Sequence, residues 1–364
     1  MVRSRLVAVI AFAVFGWLAT AVAAADTGGL TTTLGRAAPN SGVLSIPYFS
    51  DSFTFDGVTY PYDMVGTDPR TSQSTTVVPT VIVPLRLVFA DGNVSDPGDA
   101  VARVLASPLF KPAAFSSGYT QYGDAVRRAM FWKYDANTGY HVLLAPPLVL
   151  PTVTLHVPAA DGVFLHGGDA SGPPAFGFHL AVDAGVVSAS WFYSQFDSVL
   201  GTTIAPRTLP IVLSRNVALS TDPIPYGAPT IGFHTALART VGSTERIQTA
   251  IWASYADPST ITELPGILEN TDVLSHEISE WLHDPFLNNT VPSWLSPDPL
   301  SAAVYGCSSL LETSDPITEV AGEIDGYELS DAAFLSWFAH QVPSIGINGQ
   351  YSFFGAFTAP SPLC

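Results

Sequence analysis

The hydrophobic and polar positions of this chain take on a helical period in the segment Asp272–Pro285. Apolar residues recur there at the spacing of one helix face, at Leu274, Ile278, Trp281 and Leu282. His276 and Glu280 fall on the opposite side of the same helix. Because the residue before a proline is pushed out of the α region, Asp284-Pro285 predicts the end of the helix. The pattern therefore predicts a short helix with one apolar face and one polar face.

Short apolar runs separated by turn residues fill most of the chain before this helix and predict strands. These runs are Val43–Phe49, Val77–Phe89, His141–Val157, Phe176–Val182, Val186–Phe196, Thr208–Leu213, Thr230–His234 and Arg246–Tyr255. Prolines inside Val77–Phe89 predict an edge or irregular strand, because proline cannot donate to a ladder. Two further segments, Gln121–Trp132 and Ala332–His340, show helical spacing.

These elements predict an α+β fold with a β-rich N-terminal half. Residues 26–160 form that half, and residues 161–364 form a second region with a mixed sheet and the helix at 272. The glycine-rich segment around His166 is the predicted junction. One continuous domain is the alternative interpretation.

The first 25 residues are typical of a secretory signal peptide. Arg3 and Arg5 precede an apolar run, Leu6–Leu18, and small residues at Ala21–Ala25 suit cleavage. A membrane anchor is the alternative, but the run is shorter than the ~20 apolar residues of a membrane span. The sequence therefore predicts a secreted or periplasmic protein with no membrane association after cleavage.

The charge of the chain restricts its possible partners, and its two cysteines bear on its covalent structure. The chain has 14 Lys and Arg against 31 Asp and Glu, which excludes the basic surface of a nucleic-acid-binding protein. The two cysteines, Cys307 and Cys364, form an even pair that favours a disulfide in an oxidising compartment.

The run His276-Glu277-Ile278-Ser279-Glu280 resembles the active-site helix of zincin metallopeptidases, in which the first His binds zinc and the adjacent Glu is the general base. Glu280 replaces the second His of that motif. With Asp284-Pro285 and Leu311-Glu312-Thr313-Ser314-Asp315, the chain is also similar to a group of secreted bacterial proteins and, more distantly, to plant phosphate-induced (EXORDIUM-like) proteins. Thr313-Ser314 departs from the Ile-Gly or Val-Gly pair that is frequent in that group.

The resemblance implies a zincin-like sheet and helix, with Glu277 as the catalytic base and His276, Glu280 and Glu312 as metal ligands. Asp315 is the next candidate if Glu312 lies too far away. One imidazole with carboxylates is a harder ligand set than two imidazoles, so zinc is the first expectation and Mn²⁺ or Ca²⁺ the alternatives. An exposed polar helix face without a metal remains the competing interpretation.

Two histidines near this motif are not predicted as ligands. His283 lies two turns from His276, about 10.5 Å along the axis, and is interpreted either as a residue that supports the metal ligands without binding the ion or as a helix-end residue, where a cation suits the helix dipole. His234 lies in strand-like sequence and is interpreted as structural.

The sequence thus supports two hypotheses about function. The first is a secreted metal-dependent hydrolase, a zincin-like metallopeptidase acting on a peptide or protein substrate. The second is a non-catalytic extracellular or cell-wall-associated binding protein on the same scaffold. An open coordination position would distinguish them, because catalytic ions keep a site for water and structural ions do not.

Overall fold

The computed structural model describes residues 43–168, 179–241, 244–260 and 268–364. The predicted signal peptide and residues 176–178 of the predicted strand Phe176–Val182 lie outside these ranges, and the described residues 179–182 do not form a strand. Within the described ranges, every helix is too short or too polar to cross a membrane.

The structure contains both strands and helices, so the α+β prediction is confirmed. The strands are β1 Tyr48–Phe55, β2 Val58–Val65, β3 Thr75–Val78, β4 Thr80–Phe89, β5 Val94–Ser95, β6 Ala113–Phe115, β7 Gly118–Thr120, β8 His141–Leu144, β9 Leu148–Val149, β10 Val153–Val157, β11 Gly162–Leu165, β12 Ala184–Ser188, β13 Leu209–Arg215, β14 Val217–Ser220, β15 Pro229–Thr230, β16 Gly232–Val241, β17 Thr244–Tyr255, β18 Thr290–Leu295, β19 Cys307–Leu310, β20 Ala321–Ile324 and β21 Tyr327–Ser330. The helices are α1 Ala100–Ala106, α2 Tyr122–Met130, α3 Trp132–Asp135, α4 Ala189–Leu200, α5 Asp272–His283, α6 Pro299–Tyr305 and α7 Leu335–Phe338, with 3₁₀ turns at Asp315–Ile317 and Ile347–Gly349.

The largest sheet has the strand order β10-β4-β13-β17-β16. The first four strands of this path run parallel to their neighbours, and β16 pairs antiparallel with β17 at the end of the path. Since β4 and β10 come from before residue 160 and the other three from after it, the sheet crosses the predicted domain boundary.

Strand β4 lies inside this sheet although it contains Pro84, so the edge-strand prediction is wrong here. On one side, β4 pairs with β9 at Val81–Ile82 and with β10 from Leu85 onward. Pro84 falls between these two paired stretches. The break between β9 and β10 removes the need for a donor on that side, which explains why the proline is tolerated.

The run Val186–Phe196, predicted as a strand, divides into the end of β12 and most of α4. The Ser188 hydroxyl accepts a bond from the Trp191 amide at the helix start. Phe192 and Phe196 then recur one turn apart and are both buried. This apolar run fits a strand and a helix equally well by composition, and the cap is the local feature that separates them.

Hydrophobic side chains cover both faces of the large sheet. Along β13 and β17, Ile211 and Ile251 face one core, whereas Val212 and Trp252 face the other. Helices α2 and α5 belong to the first core and α4 to the second. Because alternate strand residues pack into a core on each face, the sheet is held in place, and α5 lies on this supported surface.

Helix α5 ends at His283, as Asp284-Pro285 predicted. Its apolar residues Leu274, Ile278, Trp281 and Leu282 are all buried, and the Trp281 indole donates to Thr249 Oγ1 on β17 at 3.0 Å. Its polar face is also largely covered, since Glu277 is 5% exposed and Glu280 4%. The helix is therefore buried on nearly all sides, and its acidic residues lie in the interior.

The disulfide predicted from the cysteine pair is present. Cys307 and Cys364 are bonded with Cα atoms 6.0 Å apart and are 57 positions apart in sequence. The last residues are also hydrogen-bonded to β18, from Cys364 N to Ser293 O and from Leu295 N to Pro362 O. The C-terminus is thus fixed beside the strand pair that leads to Glu312.

We expect the double variant Cys307→Ser, Cys364→Ser to lose roughly 2–4 kcal/mol of unfolding free energy, because the unfolded chain regains loop entropy. The measurement is urea unfolding monitored by tryptophan fluorescence. Wild-type protein under reducing conditions is the control and should match the variant. Two free thiols in the mass of secreted protein would contradict the assignment.

Asp135, at the end of α3, carries a buried carboxyl group whose two oxygens have no hydrogen-bond partner. Burial raises its pKa to about 7, against the opposing effect of Arg128 and Arg127. The unfolded value lies near 3.9. Between those two values, the folded protein holds a proton that the unfolded chain has released, so this group makes unfolding free energy fall as pH rises.

The variant Asp135→Asn is therefore expected to raise unfolding free energy by roughly 1–3 kcal/mol at pH 8 and to change it little at pH 4. Urea unfolding at the two pH values measures the difference. Asp222→Asn, which makes the same change at an exposed position, is the control. An equal effect of Asp135→Asn at both pH values would rule out the titration explanation.

Candidate metal centre

Helix α5 brings three of the predicted site residues together. His276 Nε2 lies 3.2 Å from Glu280 Oε1, one turn further along the helix. Ligand atoms of His276, Glu277 and Glu280 lie within 4.8 Å of one another. The spacing of the motif thus produces the compact group expected for a helix that holds an ion.

The segment after β19 closes over this group from the C-terminal side. The backbone amides of Ser314 and Asp315 both donate to Glu280 Oε1 at 3.2 Å, and Thr313 Oγ1 lies 2.8 Å from Ser279 Oγ on α5. This docking places Asp315 Oδ1 at 3.3 Å from His276 Nε2. Asp315, the reserve candidate, is therefore the carboxylate of this segment that contacts His276.

Glu312, the predicted third ligand, contacts a different histidine. Its Oε2 lies 3.8 Å from Nε2 of His234 on strand β16. His234 Nδ1 in turn lies 3.6 Å from Glu277 Oε2 and 3.8 Å from Glu280 Oε2. Ligand atoms of His234, Glu280 and Glu312 form a second group within 4.8 Å, so Glu280 belongs to both groups.

The interpretation of His234 as a purely structural strand residue missed its place among these carboxylates. Its position depends on the alignment of β16 with α5, which involves residues far apart in sequence. One local feature points to that contact. A Cβ at Gly232, at the start of β16, would lie 2.6 Å from Glu277 Oε1 and 2.7 Å from Val273 Cγ1. Only glycine lets the strand approach the helix this closely.

Burial and the neighbouring carboxylates act in opposite directions on the pKa values of the two histidines in this cluster. Burial would lower the pKa of His234, but the surrounding carboxylates, Glu312 first, raise it to about 10. Burial likewise opposes protonation of His276, yet Glu280 and Asp315 raise its pKa well above the ordinary value. Both imidazoles thus lie in a strongly negative environment.

The pKa values of the four carboxyl groups in the cluster are shifted as well. Burial raises the pKa of Glu277 and raises that of Glu312 well above its usual range. Burial and the nearby Glu280 raise the pKa of Asp315 to about 6. For Glu280, burial acts in the same direction, but His276 and His234 lower its pKa below the usual value.

Two carboxylate oxygens in the cluster, Glu277 Oε2 and Glu312 Oε2, are buried without a hydrogen-bond partner. A buried, unpaired carboxylate oxygen costs free energy unless a cation or donor reaches it.

The side chains of His276 and Asp315 are the more accessible members of the cluster, at 12% and 16% exposure, whereas the side chain of His234 is at 3%. The buried His and Glu groups can hold a divalent ion, and His276 and Asp315 are the two side chains of the cluster that retain the most exposure.

His283 is not the helix-end cation that its position suggested. Its side chain is fully buried, Nδ1 donates to Ser279 O at 2.6 Å, and Nε2 accepts from Arg127 Nε at 3.2 Å. Burial and Arg127 lower its pKa well below the ordinary value. The neutral ring therefore fixes the last turn of α5 and lies apart from the cluster.

Comparisons with protein families, with curated proteins and with solved structures found no match for this chain. The case for a function therefore rests on the residues of the cluster and on their geometry.

Proposed function

We propose that this protein is a secreted metal-dependent hydrolase, a zincin-like metallopeptidase, whose ion is held by His276, Glu280 and Asp315. The observation that carries the proposal is the position of His276 Nε2, 3.2 Å from Glu280 Oε1 and 3.3 Å from Asp315 Oδ1. Ligand atoms placed 2.0–2.2 Å from a tetrahedral ion lie about 3.4 Å apart. Each of these separations suits two atoms that share one ion, and Asp315 lies outside the two groups of three residues whose ligand atoms are within 4.8 Å of one another.

The composition of the set favours zinc, with Mn²⁺ and Ca²⁺ as alternatives. Imidazole and carboxylate both bind Zn²⁺, and the carboxylates also suit the harder ions. The disulfide supports an oxidising compartment, in agreement with the predicted signal peptide. The order of the elements, with several strands before α5, is the order that the zincin resemblance implies.

Glu277 is the proposed general base. A divalent ion bound at the centre would polarise the scissile carbonyl and make a water molecule more acidic. The Glu277 carboxylate would accept a proton from the attacking water and deliver it to the leaving amine. Its Oε2 has no hydrogen-bond partner, and burial raises its pKa, which brings it closer to the neutral range that proton transfer requires.

A second candidate function has one specific observation in its favour, the nearly complete burial of the ligands. An ion enclosed by the cluster would join α5 to β16 and to the 312–315 segment and leave no position for water, as in structural sites. The protein would then act as a non-catalytic extracellular or cell-wall-associated binding protein. The partial exposure of His276 and Asp315 favours the hydrolase.

The test is a peptide-library digestion with metal-depleted protein to which Zn²⁺, Mn²⁺ or Ca²⁺ is returned. The hydrolase proposal predicts cleavage that a chelator abolishes and one of these ions restores. If fully loaded protein cleaves no peptide while chelation lowers its melting temperature, the structural-ion alternative replaces it.

A further inference from the structure

The carboxylate of Glu280 faces two histidines rather than one. Its Oε1 lies near His276 Nε2 at 3.2 Å, and its Oε2 lies near His234 Nδ1 at 3.8 Å. A carboxylate whose two oxygens point to separate ligand groups has the arrangement of a bridge between two metal ions. Such ions lie about 3.5–4 Å apart in hydrolytic enzymes.

His234 is oriented to serve as a ligand. Its Nε2 lies 3.1 Å from the carbonyl oxygen of Asp284, so this nitrogen donates, and Nδ1 is the nitrogen that can bind an ion once the ring has released its second proton. Nδ1 faces Glu280 Oε2 and Glu277 Oε2. A backbone carbonyl that holds the other ring nitrogen is the usual support of a metal-binding histidine.

The distances around His234 also argue against a simple ion pair. A protonated imidazole bonded to carboxylates would show N···O separations of about 2.7–2.9 Å. The separations are 3.6 Å from His234 Nδ1 to Glu277 Oε2, 3.8 Å from Nδ1 to Glu280 Oε2 and 3.8 Å from Nε2 to Glu312 Oε2. They are too long for hydrogen bonds and leave room for an ion.

The number of carboxyl groups in the cluster also favours a second ion. Four largely buried carboxyl groups, Glu277, Glu280, Glu312 and Asp315, surround two imidazoles. With all four carboxyl groups ionised and both imidazoles neutral, one divalent ion leaves two negative charges uncompensated in the interior, whereas two such ions balance all four. Glu312 Oε2, which is buried without a partner, is the atom that the second ion would satisfy.

We infer that the cluster holds two divalent ions, which extends the single-ion centre of the proposed function and rests on it. The first ion binds His276, Glu280 Oε1 and Asp315. The second binds His234, Glu280 Oε2 and Glu312. Glu280 bridges the two ions, and the protein belongs chemically with co-catalytic two-metal hydrolases that use Zn²⁺ or Mn²⁺.

The experiment is metal stoichiometry of the folded, signal-cleaved protein, stripped of metal and dialysed against Mn²⁺ or Zn²⁺. We expect two equivalents per chain by elemental analysis, and an exchange-coupled Mn²⁺ signal in electron paramagnetic resonance. His234→Gln and the isosteric Glu312→Gln should each reduce binding to one equivalent and abolish the coupling. His156→Gln, at an exposed position on β10, is the control and should retain both ions.

The outcomes separate this inference from the proposed function. One equivalent in the wild type, retained in His234→Gln and lost in His276→Ala, would overturn the second ion and leave the single-ion centre intact. No bound ion in the wild type would overturn both. If His234→Gln fails to fold, Glu312→Gln and the wild-type stoichiometry still decide the question.

Discussion

Replacing Glu277 by Gln is expected to lower the rate of peptide hydrolysis by roughly 10²–10⁴-fold, the usual contribution of a general base. Gln keeps the shape of the side chain but cannot accept the proton of the attacking water. The metal should remain bound, because His276, Glu280 and Asp315 are untouched. Rate constants and metal content measured on the same preparation test both parts of the expectation.

The control for this variant is Glu323→Gln, which makes the same change at an exposed position on β20. It should leave both rate and metal content unchanged. Loss of metal in Glu277→Gln would show that Glu277 is a ligand instead of the base. An unaltered rate would remove Glu277 from the mechanism altogether.

Replacing Arg127 by Met is expected to destabilise the protein by roughly 3–5 kcal/mol, because three buried acceptors would lose a charged donor. The Arg127 guanidinium donates to Val65 O at 3.1 Å, Leu282 O at 2.5 Å and His283 Nε2 at 3.2 Å. Two of these acceptors belong to the last turn of α5, where a cation also favours the helix dipole. Urea unfolding measures the loss.

Arg103→Met is the matched control for Arg127→Met. Arg103 is exposed on α1 and pairs with Asp99 one turn earlier, where solvent screening makes the interaction weak. If Arg127→Met loses no more unfolding free energy than this control, the last turn of α5 is stable without the buried guanidinium. That result would also show that α2 does not hold the last turn of α5 through Arg127.

Local signals made α5 predictable from the sequence. Its apolar spacing and the Asp284-Pro285 stop both act within a few residues, so the helix and its group of His276, Glu277 and Glu280 follow from the sequence alone. The same reasoning fails where a contact joins distant segments. His234 reaches the cluster through the packing of β16 on α5, and no period or spacing encodes that alignment.

The choice between Glu312 and Asp315 as the proposed third ligand also depended on the folded structure. Glu312 and Asp315 lie in one short acidic segment, and their order in the sequence does not reveal which of them faces His276. Their orientation is set by the amides of Ser314 and Asp315, which bond to Glu280 and turn the chain into the 3₁₀ turn that begins at Asp315. The carboxylates were predictable, but their assignment to particular histidines was not.

The most direct test of the central claim is diffraction from crystals grown with Zn²⁺, with data collected on both sides of the zinc absorption edge. A zinc ion in the proposed centre should give an anomalous peak about 2.0–2.2 Å from His276 Nε2, Glu280 Oε1 and Asp315 Oδ1. Crystals that contain zinc in the solvent but show no anomalous density within the cluster would contradict it.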